Sequence, residues 1–298
     1  MKQDILLQGL MADDAVRFFA ISGREMVAEA KRIHDASATC TAALGRTMMA
    51  TAMMEAMEKG ERDKISVIFK GDGPAGNIVC VGRKGPHGPL VKGYIANPHI
   101  ELPPRPDGKL NVGGAVGHDG TLTVIRDIGL KEPYIGRSKL VSGEIAEDIG
   151  QYFMQSQQTP SLVSLGVHID KNFEVAAAGG IILQLMPGCA EETIAALEQA
   201  APALARLVTL LEEGGNLRDV ISALLEKFRP VFLEEAHPAC ACDCDRERIE
   251  ASLIALGREE LEDMIEKDGG AELTCHFCLK KYRFNAAELR RLLIQASC

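Results

Sequence analysis

Cysteine is the residue type most able to do chemistry in this chain, and its nine copies are unevenly placed. Cys240, Cys242, Cys244, Cys275, Cys278 and Cys298 crowd into the last 59 residues, whereas Cys40, Cys80 and Cys189 are scattered through the rest. Cys275-His276-Phe277-Cys278 is a C-x-x-C turn, a spacing that lets two thiolates converge on one metal ion at about 2.3 Å each. Cys242-Asp243-Cys244, a tighter C-x-C pair, ends thirty residues upstream. Together the pairs offer four soft ligands, the complement of a closed tetrahedral zinc site. His276 lies inside the knuckle, but a fourth cysteine makes a histidine ligand unnecessary. His237, just before the cysteine run, reads as an exposed linker residue.

A four-cysteine zinc module is most often purely structural, and two features weigh against that reading here. Cysteines one residue apart can close a small, strained disulfide once a metal leaves, and such disulfides are labile and regulatory. Arg246, Arg248, Lys280 and Lys281 flank the thiols, and nearby positive charge favours the reactive thiolate. The residues alone leave the structural and redox readings both open. Cys40, Cys80 and Cys189 fall in predicted core elements or at a strand end and read as packed small residues.

The elements that position these cysteines follow from periodicity. Ile249, Leu253 and Leu256, then Leu261, Met264 and Ile265, give apolar helical faces between the two pairs. Asp268-Gly269-Gly270 predicts a turn, and Ala271–Thr274 with Tyr282–Phe284 a hairpin around the C-x-x-C knuckle. Asn285 and Glu288 form a capping box that starts a last helix along Leu289, Leu292 and Leu293. The core of so small a module is slight, so metal binding would supply much of its stability.

Upstream, a strand is predicted at Ala15–Ile21, a helical region from Arg24 to Glu58, and strands at Lys64–Phe69, Asn77–Gly82 and Leu90–Ile95, separated by Gly/Pro turns as in an antiparallel meander. Residues 103–120 read as an excursion loop, Leu122–Arg126 as a strand, and Ser138–Val141 as a further one. Ser142 is expected to cap a helix ending before Pro160. Leu162–Ile169 and Phe173–Leu185 form a hairpin whose Gly179-Gly180 pair signals a bulge or close approach. Ile194, Leu197, Ala201, Leu204, Val208 and Leu211 make an apolar helical stripe that Pro202 should divide or kink, and Asn216 starts another helix. The fold class is therefore α+β: an N-terminal mixed α/β core domain with antiparallel sheets (1–186), an amphipathic helical linker (187–234) and a small C-terminal zinc-binding module (235–298). Packed subdomain and detachable apolar cover are both open readings of the linker.

Composition narrows the function. No apolar stretch reaches the ~18–20 residues that span a bilayer, and the N-terminus lacks a signal peptide's apolar core, so the expected location is cytoplasmic. The net charge is −9, and from His237 onward nine Lys/Arg face twelve Asp/Glu, which disfavours nucleic acid as a partner of the zinc module. Trp is absent and aromatics are only 4%, too few for a base-stacking surface. The Gly-rich segment 113–120 lacks a Walker-type ending, no dinucleotide fingerprint follows a strand, and no Ser/His/Asp or paired-carboxylate arrangement stands out. An interaction protein is expected rather than an enzyme. The alternative is a thiol-disulfide oxidoreductase using Cys275 and Cys278, which requires the motif at a helix N-terminus after a strand.

The run C-D-C-D-R-E-R, the thirty-residue interval, E-E-L-E-D-M-I-E-K-D-G and C-H-F-C-x-x-x-Y-x-F resemble the redox switch of the 33 kDa heat-shock chaperonins. GTLTVIRDIGLKEPYIG, LVSGEIAEDIGQYFMQSQQTPSLVSLGV and GGIILQLMPG are similar to that family's core domain, so the resemblance covers nearly the whole chain. It implies an ATP-independent holdase, inactive when reduced and bound to one zinc ion through Cys242, Cys244, Cys275 and Cys278. It further implies that oxidation expels the zinc and pairs Cys242 with Cys244 and Cys275 with Cys278. Module and linker then lose order, the protein forms a homodimer, and unfolding clients bind. One departure is Cys240, which makes the run C-A-C-D-C and could compete as a ligand or disulfide partner. Cys298 is a second extra thiol.

Overall fold

The computed structural model describes residues 3–296 and divides into two compact units, Met1–Ala241 and Cys242–Cys298. Cys298 lies outside the described residues.

The first unit begins with strands β1 (Ile5–Met11) and β2 (Val16–Ser22) and helices α1 (Arg24–His34) and α2 (Ala38–Glu55). The meander β3 (Lys64–Lys70), β4 (Ile78–Arg83) and β5 (Leu90–Ile95) follows, then α3 (Val112–Val116), β6 (Thr121–Asp127), β7 (Tyr134–Lys139) and α4 (Ala146–Gln157). The hairpin β8 (Ser161–Ile169) and β9 (Val175–Leu185) leads to α5 (Glu191–Leu204), α6 (Leu207–Glu212) and α7 (Leu217–Leu224), and the chain returns as β10 (Val231–Ala236) and β11 (Ala239–Cys240). Two sheets result, ordered β10-β1-β2-β9-β8 and β11-β5-β4-β3-β6-β7. Every pairing is antiparallel except the short β11–β5 ladder.

Helix α2 is the axle of this unit. Its residues are small or apolar all round, and every one from Thr39 to Glu55 except Arg46 is buried, as befits a helix packed on strands of both sheets. Two of its polar side chains are satisfied locally: the Thr47 and Thr51 hydroxyls donate to carbonyls one turn back, at 2.9 and 2.7 Å. The helical region expected from Arg24 to Glu58 resolves into two helices. Asp35 takes a left-handed conformation that ends α1, and the Ser37 side chain accepts from the Cys40 N–H to cap α2. The cap of α4 also differs from expectation. Ser142 does not cap it; the fully buried Asp148 carboxylate instead gathers the N–H groups of Val141, Ser142 and Ile145.

The five-stranded sheet separates two apolar clusters. One face meets α1 and α2; the other is covered by α5, α6 and α7, with Leu204, Leu207, Val208, Leu217 and Ile221 against Phe18, Ile181 and Leu183. Pro202 sits in the last turn of α5, and the break between α5 and α6 falls just beyond it. The Gly179-Gly180 signal resolves as close approach. Gly179 pairs with Gly166 across the β8–β9 ladder, and α6 rests on both. A Cβ at Gly179 would lie 2.7 Å from Leu211 and 2.8 Å from Leu207, and one at Gly166 2.7 Å from Val208. This bare seat lets a one-and-a-half-turn helix dock closely enough to bury its leucines.

Among the described residues no helix is long and apolar enough to cross a membrane. The glycine seat yields a prediction. Gly166→Val, a β-branched residue suited to a strand, should push α6 off the sheet at a cost of roughly 1–3 kcal/mol. Hydrogen exchange is expected to show α6 and α7 losing protection while β3, β4 and β6 keep theirs.

Candidate metal centre

The second unit contains α8 (Arg246–Leu256), α9 (Arg258–Asp263), a single π turn over Met264–Asp268, the hairpin β12 (Gly270–Thr274) and β13 (Lys281–Asn285), and α10 (Ala286–Ala296). Its core is small: Leu253, Leu261, Tyr282, Phe284, Leu289 and Leu292 are buried, with Cys244 and Cys275 packed against them. The expected capping box forms, with Asn285 Oδ1 accepting from the Glu288 N–H at 3.0 Å and Glu288 Oε2 from the Asn285 N–H at 2.9 Å. Asp245 caps α8 by accepting from the Arg248 N–H at 2.8 Å, fixing the chain just after Cys244.

The C-x-x-C pair sits on the β12–β13 turn. The Leu279 N–H donates to the Cys275 carbonyl at 2.8 Å and the Cys275 N–H to the Lys280 carbonyl at 3.0 Å, with Leu279 left-handed at φ +57°. This folded-back turn aims both sulfurs the same way. All four sulfurs of Cys242, Cys244, Cys275 and Cys278 lie within 4.8 Å of one another, the only such grouping of metal-ligating side chains among the described residues. Two approaches cross between the pairs, 3.8 Å for Cys242–Cys275 and 3.3 Å for Cys244–Cys278. These are free thiols, far beyond the ~2.05 Å of a disulfide. A tetrahedral ion with sulfur ligands at about 2.3 Å requires sulfur–sulfur edges of about 3.8 Å. The cluster fits such an ion, and a dication at its centre would remove the repulsion among converging thiolates.

Burial and hydrogen bonds act on the sulfurs in opposite directions. The Tyr282 hydroxyl, donor to the Cys244 carbonyl at 3.1 Å and within 3.2 Å of Cys244 Sγ, is the functional group that spacing arguments missed. Burial pushes the Cys244 thiol up, but the bonds from Tyr282 and the neighbouring thiols outweigh it and hold Cys244 below its ordinary value. Burial dominates at Cys242 and Cys278 and pushes both up, against single backbone N–H donors from Cys244 and Lys280.

The four flanking cations turn out to be largely committed elsewhere. Arg246 stacks over Phe284 at 4.2 Å and pairs with Glu288 at 2.8 Å; Arg248 pairs with Asp243. Lys281 pairs with Glu272 at 2.8 Å, and Lys280 lies over the Tyr282 ring at 5.1 Å. They build the module more than they polarise its sulfurs.

The remaining histidines and cysteines are placed elsewhere. Cys240 belongs to the first unit, where β11 pairs with β5 in the register Cys240↔Val91 and the next residue's N–H reaches the Val91 carbonyl at 2.9 Å. His237 is half-buried rather than exposed, with Nδ1 3.2 Å from the Asp4 carbonyl. His276 is outside the sulfur cluster. Cys40 and Cys80 are buried as expected, and Cys189 is half-buried. The C-x-x-C lies between two strands, not at a helix N-terminus, so the setting that the oxidoreductase alternative requires is absent.

The chain thus joins a two-sheet α+β core to a small module in which four converging thiols could hold a metal ion. The Hsp33 protein family model matches residues 4–285. The 33 kDa chaperonin of Caldanaerobacter subterraneus subsp. tengcongensis is 44% identical over 293 residues, covering 98% of this chain and 99% of that one. The 33 kDa chaperonin of Clostridioides difficile is also 44% identical, over 292 residues with 98% and 99% coverage. The crystal structure of the 33 kDa chaperonin of Thermotoga maritima superposes with a TM-score of 0.87 at 34% identity, covering 100% of this chain and 99% of that one. The chain belongs to the Hsp33 family of heat-shock chaperones.

Two outcomes follow from the geometry. Cys242→Ser or Cys275→Ser should abolish tight zinc binding in a competitive chelator titration, whereas Cys240→Ser should leave one zinc per chain. Tyr282→Phe should keep the stoichiometry but weaken zinc affinity by roughly 10- to 100-fold, the usual effect of losing an outer hydrogen-bond partner.

Proposed function

We propose that this chaperone is an ATP-independent holdase, not an enzyme, switched by thiol oxidation in the cytoplasm. The observation that carries the reading is the convergence of four thiols that close a module with a slight core of its own. In the reduced state Cys242, Cys244, Cys275 and Cys278 hold one zinc ion, which supplies the charge neutralisation and tetrahedral clamp. Structural zinc sites contribute about 10–16 kcal/mol of apparent binding free energy, as much as a core of six buried side chains at about 1.5–3 kcal/mol each.

Peroxide, with mild unfolding, converts Cys242 and Cys244 to one disulfide and Cys275 and Cys278 to another. Each pair of zinc-bound thiolates gives up two electrons to one peroxide molecule, which takes two protons from solvent and leaves as two waters, while the zinc ion departs with its oxidation state unchanged. Disulfides across such short loops restrict the chain little and do not replace a clamp joining the two pairs. The functional division we propose is a core (1–186), a linker (187–234) and a switch (235–298), with loss of order spreading from switch to linker.

The linker is suited to that role. Only Leu197 and Leu204 of the fourteen-residue α5 are buried, so this segment belongs to the low-stability end of the unit. Release of α5–α7 would uncover apolar side chains of both the helices and the sheet, each worth about 1.5–3 kcal/mol when buried. Unfolding clients would bind this surface, and the oxidised chain would pair as a homodimer. The net charge of −9 supports a protein client over nucleic acid, and nothing in the reading calls for a membrane.

The test is to treat the zinc-loaded protein with peroxide at raised temperature, following zinc release and suppression of client aggregation together. Release of one zinc per chain with a rise in anti-aggregation activity is expected. Zinc retained, or released with no gain in activity, would overturn the proposal.

A further inference from the structure

Strand β7 is an outer strand of the six-stranded sheet, paired with β6 on one side and with no described strand on the other. The Leu140 N–H donates to the Gly120 carbonyl at 3.1 Å, which fixes the alternation of this antiparallel ladder. Gly136 and Ser138, opposite Val124 and Leu122, therefore bond toward β6. The N–H and C=O groups of Ile135, Arg137 and Lys139 point the other way and make no hydrogen bond among the described residues. All three residues are exposed. The register with β6 is unbroken, so no bulge twists this edge away from an incoming strand.

The side chains around the edge are apolar and cationic. Ile128 and Leu130 lie in the β6–β7 connection, Tyr134 and Ile135 on β7, Val141 just beyond it, and Met154 on α4, which packs against β7; all six are exposed. Arg137 and Lys139 share a sheet face with Ile135. Their neighbours across β6 are the uncharged Thr123 and Thr121, and neither cation forms an ion pair among the described residues. Charge on an edge guards against self-association. It does so here, since two-fold pairing of β7 at Arg137 would set that cation against its own copy. The same cations complement carboxylates, and only another strand satisfies a row of edge N–H and C=O groups.

We propose that β7 takes up an extended segment of an unfolding polypeptide as a further strand, with carboxylates opposite Arg137 and Lys139 and an apolar side chain opposite Ile135. These three positions alternate along the segment, because successive side chains of a strand point to opposite faces. Only the nature of the occupant rests on the chaperone reading. The edge is open while the four thiols are free, so it is separate from the surface that release of α5–α7 would uncover. A weak hold at each would reinforce the other by raising effective concentration.

The experiment uses the full reduced, zinc-loaded chain and a fluorescent peptide with blocked ends, Gly-Glu-Val-Glu-Val-Ile-Thr-Gly, followed by anisotropy and by amide hydrogen exchange. Saturable binding is expected, with protection appearing at the Ile135, Arg137 and Lys139 amides. The Gly136 and Ser138 amides, already bonded to β6, should hardly change. Methylating the backbone nitrogens of the two Glu and the Ile of the peptide should weaken binding at least about tenfold, the scale of a pair of backbone hydrogen bonds. Arg137→Glu should weaken it about fivefold or more and favour a peptide with Lys in place of Glu, as opposite charges across a strand pair require. No saturable binding at millimolar concentration, or equal binding by the methylated peptide or by Arg137→Glu, would overturn the assignment. So would protection of the same three amides in a dimer of the chain alone, which makes a second copy the occupant. Zinc release under peroxide is measured separately, so failure here leaves the redox reading standing.

Discussion

The convergence of four sulfurs is the constraint on which the second unit depends. Six buried side chains cannot offset the conformational entropy of ordering a module of this size, since each ordered residue costs about 1–2 kcal/mol. The hairpin, capping box and α8 cap are each locally favourable but small. What ties them together is the approach of Cys242 and Cys244, ahead of α8, to Cys275 and Cys278 on the β12–β13 turn. Thiolates so close would repel one another, so the arrangement suits a cation, and in the proposed reading chemistry at the sulfurs would withdraw its stability. A conventional apolar core has no such handle.

The first unit is built on the opposite principle. Helix α2 is buried on nearly all sides, and its Thr47 and Thr51 hydroxyls are satisfied within its own turns. Docking of α6 is more delicate, resting on two cross-strand glycines that leave room for Val208, Leu207 and Leu211. The close approach makes the contact good, but the helix is short and the preceding α5 is mostly exposed. Robust core and marginal cover therefore coexist in one unit. That gradient is what a protein needs if it is to uncover apolar surface without losing its fold.

Much of this was legible in the residues. The meander β3–β4–β5, the β8–β9 hairpin, the β12–β13 hairpin and the Asn285–Glu288 box follow from alternation, turn residues and capping chemistry, all of them local. The helical region of residues 24–58 divides because Asp35 adopts a left-handed conformation, which propensity does not reveal for a residue that also tolerates helix. Strands β1 and β10 escaped notice because Ile5–Met11 lacks clean alternation and β10 is an edge strand defined by pairing with a partner over two hundred residues away.

By itself the sequence determined the ligand types, their spacing and the turn that presents them, because a C-x-x-C knuckle and a capped helix start are set by a few adjacent residues. Tertiary structure alone decided that Cys240 belongs to β11, that Tyr282 tunes Cys244, and that the flanking cations serve carboxylates and rings. The reason is the same in each case: which group a side chain meets across a sheet or a cavity depends on long-range register and packing, which no local pattern encodes.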